Sequence, residues 1–105
     1  MKDIKIANNI KTVEMLKSEL LKSVSALYED IIAETDSETN FRIADDAANI
    51  INLTYILSRR LGADYDSVEM RMKAKLDRAI EEKHPIEKNY SDMSVLRERL
   101  WRDEK

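Results

Sequence analysis

Gly62 and Pro85 are the only glycine and the only proline in a chain of 105 residues. A β-sandwich or barrel needs a turn about every ten residues, and this sequence lacks the residues that build such turns. Long helices are what remains. The apolar spacing agrees. Ile6, Ile10, Val13, Leu16, Leu20, Val24, Leu27 and Ile31 recur in steps of three and four, which is one stripe of an α-helix. With no interruption, the spacing predicts a single helix from about Asp3 to Ala33, with a bend expected near Asn8-Asn9. Such a helix is about 45 Å long at 1.5 Å per residue. That is more than a compact monomer of this size covers, so a helical partner is expected.

The stretch from Thr35 to Asn40 reads as a connector, with Ser37 and Thr39 among its candidate N-caps. A second helix is expected to run to about Leu61, with Ile43, Ala47, Ile50 and Leu57 on one side. Its middle, AANIINLTYIL, is apolar nearly all round, which suits the centre of a bundle or a subunit interface. Arg59 and Arg60 suit its C-terminal end, and Gly62 the left-handed position that closes a helix. Asp66 with Glu69 resembles a capping pair for a third helix, whose stripe is Tyr65, Val68, Met72, Leu76 and Ile80. That helix is expected to stop before Pro85, residues 85–91 to form a loop, and a short last helix to span about Asp92 to Arg102. No internal repeat is visible.

Size and composition narrow the function. The length fits one domain over 1–105, and a hydrophobic content of 43% can supply a core. With no cysteine, disulfides and thiolate chemistry are excluded, and a single histidine, His84, excludes His-rich zinc sites. The N-terminus lacks the apolar core of a signal peptide. The longest apolar stretch, Ala47 to Leu57, falls short of the roughly 20 residues of a membrane span. No membrane association and a cytoplasmic location are therefore expected. A net charge of −3 with mixed signs disfavours nucleic acid as a partner.

Polar residues beside apolar seams are the candidates for chemistry. Glu19 lies in line with Met15, Ser23 and Ala26, next to the stripe of the first helix. Asp46 and Asn49 are one turn apart on the second. Together they could hold a hard cation such as Mg2+, which takes one or two carboxylates and keeps its waters for substrate phosphates. The competing reading is structural. Asp45 and Asp46 stabilise the start of their helix, and a seam asparagine such as Asn49 or Asn52 fixes register. Lys73, Lys75 and Arg78 could reach a phosphate, or could belong to a solvated face among Glu69, Asp77 and Glu81. His84 reads as a dipole partner at a helix end, and Met70, Met72 and Trp101 as packing residues.

The run IADDAANIINLTYILSRRLGADYDSVEMRMKAKLDRAIEEKH, after a helix reading LKSELLKSV, resembles the MazG-like family of the all-α nucleotide pyrophosphohydrolase superfamily. The likeness extends from about Val13 to Leu100 and includes the tail EKNYSDMSVL. It implies an all-α bundle of three main helices plus a short C-terminal helix, completed by oligomerisation as a dimer or dimer of dimers. It also implies Mg2+-dependent (or Mn2+-dependent) cleavage of a nucleoside triphosphate to monophosphate and pyrophosphate. In that superfamily one helix supplies Glu-Glu-x-x-Glu and the next Glu-x-x-Asp. Here Glu19 fits the second glutamate, with Ser18 and Lys22 in the other places. In a shifted register it fits the last, with Met15 and Leu16 instead. Asp46 fits the glutamate and Asn49 the aspartate of the second motif. The resemblance thus assigns Glu19 and Asp46 to catalysis, these two with Asn49 to the metal, and Lys73, Lys75 and Arg78 to the phosphates. With these motifs incomplete, the implied catalysis is weakened or lost. The alternative is a non-catalytic, homo-oligomeric interaction module.

Overall fold

The computed structural model describes residues 2–33 and 35–102, with side chains from residue 8 onward. Five helices follow one another: α1 (Lys2–Ile32), α2 (Thr39–Arg60), α3 (Tyr65–Glu81), α4 (Pro85–Tyr90) and α5 (Asp92–Trp101). The described residues contain no strand, as the scarcity of turn residues requires. Contacts divide the chain into two compact units, Met1–Tyr65 and Asp66–Lys105.

In the first unit α1 and α2 pack as an antiparallel hairpin. Val13, Leu20, Val24 and Leu27 are half-buried against Ile43, Ala47, Ile50 and Leu57, the two stripes read from the sequence. Ile6, which opens the α1 stripe, lies outside the residues whose side chains are described. Leu16 is the one buried apolar side chain among those described, at 5% exposure. Two helices cover only one strip of each other, so each keeps two open flanks.

The connector closes differently from the expected capping. Glu38 occupies the N-cap position of α2 and makes no side-chain cap. Asp36 and Thr39 bond to each other instead: the Asp36 N–H donates to Thr39 Oγ1 at 2.9 Å, and Asp36 Oδ1 accepts from the Glu38 N–H at 2.8 Å. Thr39 is buried, at 8% exposure, with its hydroxyl accepting that bond. Arg42 spans the turn, reaching Asp30 of α1 and Asp36 of the connector, each at 3.4 Å. These contacts hold the Asp36 carboxyl below the ordinary aspartate range, chiefly through the Glu38 N–H and then through Arg42.

Gly62 ends α2 as expected. With φ at +102°, it lets the Ala63 N–H reach the Ser58 carbonyl at 2.9 Å and its own N–H the Arg59 carbonyl at 3.1 Å. Tyr65 folds back on α2, edge-on to Tyr55 with ring centres 5.9 Å apart and with the Arg59 guanidinium 5.3 Å above its ring.

The second unit departs from the sequence reading in three places. Asp66, expected as a cap, lies inside the first turn of α3. Residues 85–90 form a helix, not a loop, so the bundle of three main helices plus one has an additional short α4. Pro85 supplies the fixed φ of a first helical residue, and His84 caps the turn by accepting the Ile86 N–H on Nδ1 at 3.1 Å. His84 is thus a cap and not a dipole partner. Glu87 then caps the next helix in turn. Its carboxylate accepts the Ser94 N–H at 2.9 Å and the Ser94 hydroxyl. Those two bonds hold the Glu87 carboxyl below its ordinary range. Arg97 of α5 pairs with Asp77 of α3 at 2.7 Å.

Candidate functional site

The two open flanks of the α1–α2 hairpin differ in chemistry. At about 100° per residue, Leu21, Tyr28 and Ile32 of α1 and Phe41, Ala44, Ala48 and Ile51 of α2 fall on one flank. Its large members are mostly exposed, from 55% at Ile51 to 84% at Ile32. The opposite flank carries Glu19, Lys22, Ser23 and Asp30 of α1 facing Arg42, Asp46, Asn49 and Asn52 of α2. This polar flank contains the unit's candidate chemistry.

A cleft of about 360 Å3 opens there, lined by Glu19, Lys22, Ser23, Asn49, Asn52 and Leu53. It joins two of the expected site residues, Glu19 and Asn49. Asp46 does not line it. Antiparallel packing places Asp46 nearer the closed end of the hairpin, against Asp30. With Arg42 bridged to Asp30, the pairing register puts Asp46 about seven residues from Glu19 along the hairpin, roughly 10 Å of helix rise. The Asp46 carboxyl is pushed above the ordinary aspartate value, first by its bond to Asp30, then by burial and the neighbouring charges of Asp30 and Asp45. Its Oδ2 is buried without a hydrogen-bond partner. Asp46 and Asp30 are therefore neighbouring carboxyls, an arrangement that disfavours the charged form of Asp46, with Arg42 beside Asp30.

Sequence reasoning passed over Asp30. The signal was present: Asp30 follows Ala26 by four residues and Glu19 by eleven, which is three turns, so it continues the line already drawn through Glu19.

This donor set does not fit a resident hard cation. Glu19 shares its cleft with the Lys22 ammonium, and the remaining oxygens come from amides and a hydroxyl. At an effective dielectric near 20, a cation held close to an ammonium costs up to about 4 kcal/mol before screening. Among the described residues no three His, Cys, Asp or Glu side chains converge to hold a metal ion.

The three expected phosphate contacts lie in the second unit and do not share a face. Lys73 and Lys75 point about 200° apart on α3. Lys73 lines a second cleft, of about 310 Å3, with Asp66, Glu69, Met70 and Trp101. Met70 and Trp101, read as packing residues, are cleft walls. Lys75 is exposed, and Arg78 is bound to Glu82 at 2.9 Å in an exposed i,i+4 pair.

No described helix is long and apolar enough to cross a membrane. No curated protein and no solved structure matches the chain. One family model does, that of the MazG-like family, over residues 6–93, a span that takes in the hairpin, its polar flank and the whole of α3. With most of its length matched, the chain belongs to the MazG-like family.

Proposed function

We propose that this protein is a homo-oligomeric relative of the nucleotide pyrophosphohydrolases that binds a nucleoside triphosphate on the polar flank of its hairpin, with weakened hydrolysis. The observation that carries this reading is the cleft joining Glu19 and Asn49 on adjacent helices in a chain of this family. Lys22 in the same cleft opposes a metal held in advance and favours an anion. Mg2+ or Mn2+ therefore arrives as the counter-ion of the triphosphate. Glu19 is the carboxylate in the cleft that can accept a proton from an attacking water, while Lys22, Ser23, Asn49 and Asn52 orient the phosphates. Asp46, paired with Asp30, positions the closed end of the hairpin. Lys75 and Arg78 lie in the second unit, exposed, with Arg78 engaged by Glu82.

The apolar flank supports assembly. A second hairpin laid on it in two-fold fashion gives a four-helix bundle in which like covers like. A dimer, or a dimer of dimers, closes the core that one hairpin leaves open. The same flank also serves the alternative, an interaction module without catalysis.

Pyrophosphate release from a panel of nucleoside triphosphates, with Mg2+ or Mn2+ and an EDTA control, tests the proposal. Slow metal-dependent release that disappears in Glu19→Gln, with helicity and mass unchanged, is expected. If no triphosphate is cleaved, the hydrolytic reading fails and the module remains.

A further inference from the structure

We infer that a second copy lies antiparallel on the apolar flank of the hairpin, with Leu21 and Ile51 at the two-fold axis and the acidic closed end of each copy over the basic open end of the other. This rests on the assembly reading above and names the direction and centre of the pairing, from the first unit alone. The register that sets Arg42 against Asp30 also sets Ile51 against Leu21, nine residues on along α2 and nine back along α1. Both are exposed on the same flank. Ile10 precedes Leu21 by eleven residues and Ile32 follows it by eleven. Eleven residues are three turns, so the three side chains share one face of α1. An antiparallel two-fold axis through Leu21 therefore sets Ile10 of one copy against Ile32 of the other, with Phe41 beside them. The same register brings Arg60, the end of α2, level with about residue 12 of α1. Ile10 lies past that end and is 57% exposed, so the hairpin itself gives it no cover.

Charge sets the direction. Residues 25–47, the closed end, hold seven carboxyl groups and one base, Arg42. Residues 1–17 and 57–65, the open end, hold six bases and three acids. Between them, residues 18–24 and 48–56 carry only Glu19 and Lys22. Parallel stacking would put two acidic ends together, and opposed like charges repel. Antiparallel stacking gives each acidic end a basic one. Helix dipoles do not decide the matter, because α1 and α2 run in opposite directions and cancel. Glu29 and Lys11, both exposed, lie eight residues after Leu21 and ten before it. The two-fold axis thus brings Glu29 of one copy within about 3 Å of helix rise of the level of Lys11 of the other. A foreign helix would have to match both ends of the flank, whereas a second copy does so by symmetry. The polar flank, on the far side of the hairpin, stays open.

The chain has no cysteine, so introduced ones report alone. Full-length Asn8→Cys and Ser37→Cys chains, both changed at exposed positions and told apart by a tag, are refolded together and treated with a short bis-maleimide. A cross-link between the two variants is expected, with little from either variant by itself. Ser37→Cys linked efficiently to itself overturns the direction. A dimeric wild type with no mixed cross-link also overturns it, and leaves the assembly reading standing. A wild type that sediments as a monomer at tens of micromolar overturns both. Charge reversal is the second measurement, with the far-ultraviolet helix signal as the check on folding. Lys5→Glu with Lys11→Glu should raise the dimer dissociation constant roughly tenfold at low salt, and Glu29→Lys with Glu38→Lys should do the same. All four changes in one chain should restore it. Tighter association in either pair alone means that like ends meet, which overturns the proposal, as does a dissociation constant that neither pair changes.

Discussion

Replacing Phe41 and Ile51 together by glutamine should break the assembly and leave each chain helical. The two side chains are 72% and 55% exposed on the apolar flank of α2. Complete burial of residues this size contributes roughly 1.5–3 kcal/mol each, so covering the exposed fractions contributes about 1–2 kcal/mol apiece. A two-fold interface contains both residues twice, which brings the loss to about 4–8 kcal/mol per dimer. At 1.4 kcal/mol per decade the dissociation constant should rise by roughly a thousandfold or more. Sedimentation equilibrium across the micromolar range reads this directly. The wild type should hold the mass of a dimer or a dimer of dimers, and the double variant should fall to that of one chain with its far-ultraviolet helix signal intact. A wild type that is a clean monomer at tens of micromolar refutes the assembly. If the double variant keeps its mass, the apolar flank is not the interface. If Asn49→Leu and Asn52→Leu dissociate the complex instead, the copies meet on the polar flank, and the nucleotide reading fails with the interface reading.

Three further outcomes follow from local geometry. The raised Asp46 pKa means that its contribution to stability is fully present below the ordinary value near 3.8 and is lost as pH rises through the higher folded value. Asp46→Asn should therefore be more stable than wild type at neutral pH and lose that advantage near pH 4, as followed by urea unfolding at several pH values. Asp36 and Glu87 act in the opposite sense: their lowered pKa values stabilise the fold above the ordinary carboxylate range and are lost on acidification, so Glu87→Gln should reduce sensitivity to acid. Lys83 holds a left-handed φ of 56° at the end of α3 whereas Gly62 does so at the end of α2, and a Cβ on Gly62 would meet nothing within 4 Å. Lys83→Gly should therefore stabilise and Gly62→Ala destabilise, each by about 1 kcal/mol from the backbone alone, as midpoint shifts of opposite sign in urea.

The three main helices were legible because apolar period and turn composition act over many residues, and no tertiary contact had to be known. The missed element was α4. Six residues are too few for a periodic signal, and Pro85 reads equally as a stop and as a first helical residue. What decided between them was the His84 imidazole accepting the Ile86 N–H, a contact invisible to spacing. The candidate residues could be placed on their helices from sequence, but their neighbours across helices could not. That Glu19 and Asn49 share a cleft while Asp46 sits with Asp30 depends on the hairpin register, and the register is set by the connector. Asp36, Thr39 and Arg42 fix that connector through one another. A strict helical wheel would have brought in Asp30 and separated Lys73 from Lys75. The two walls of the Trp101 cleft are brought together by a bridge of twenty residues' separation, Arg97 to Asp77, which no local pattern announces.

The charge arrangement of the polar flank explains how α1 and α2 pack with acids along their seam. Four converging acids repel one another unless a cation neutralises them. Here the neutralisation is supplied by the chain itself. Asp30 has Arg42 at 3.4 Å, the charged form of Asp46 is disfavoured beside Asp30, and Glu19 has the Lys22 ammonium in the same cleft. Each device lowers the cost of packing α1 on α2 without metal, and each also removes negative charge that a resident metal would need. A cleft neutral in itself gains more from a polyanion that brings its own cation than from a bare divalent ion. Triphosphate with Mg2+ should thus bind in a manner that depends on the metal only through the ligand's charge, and Lys22→Glu should reverse that preference. A variant that binds Mg2+ alone where the wild type does not would show that the Lys22 ammonium is what excludes the bare ion.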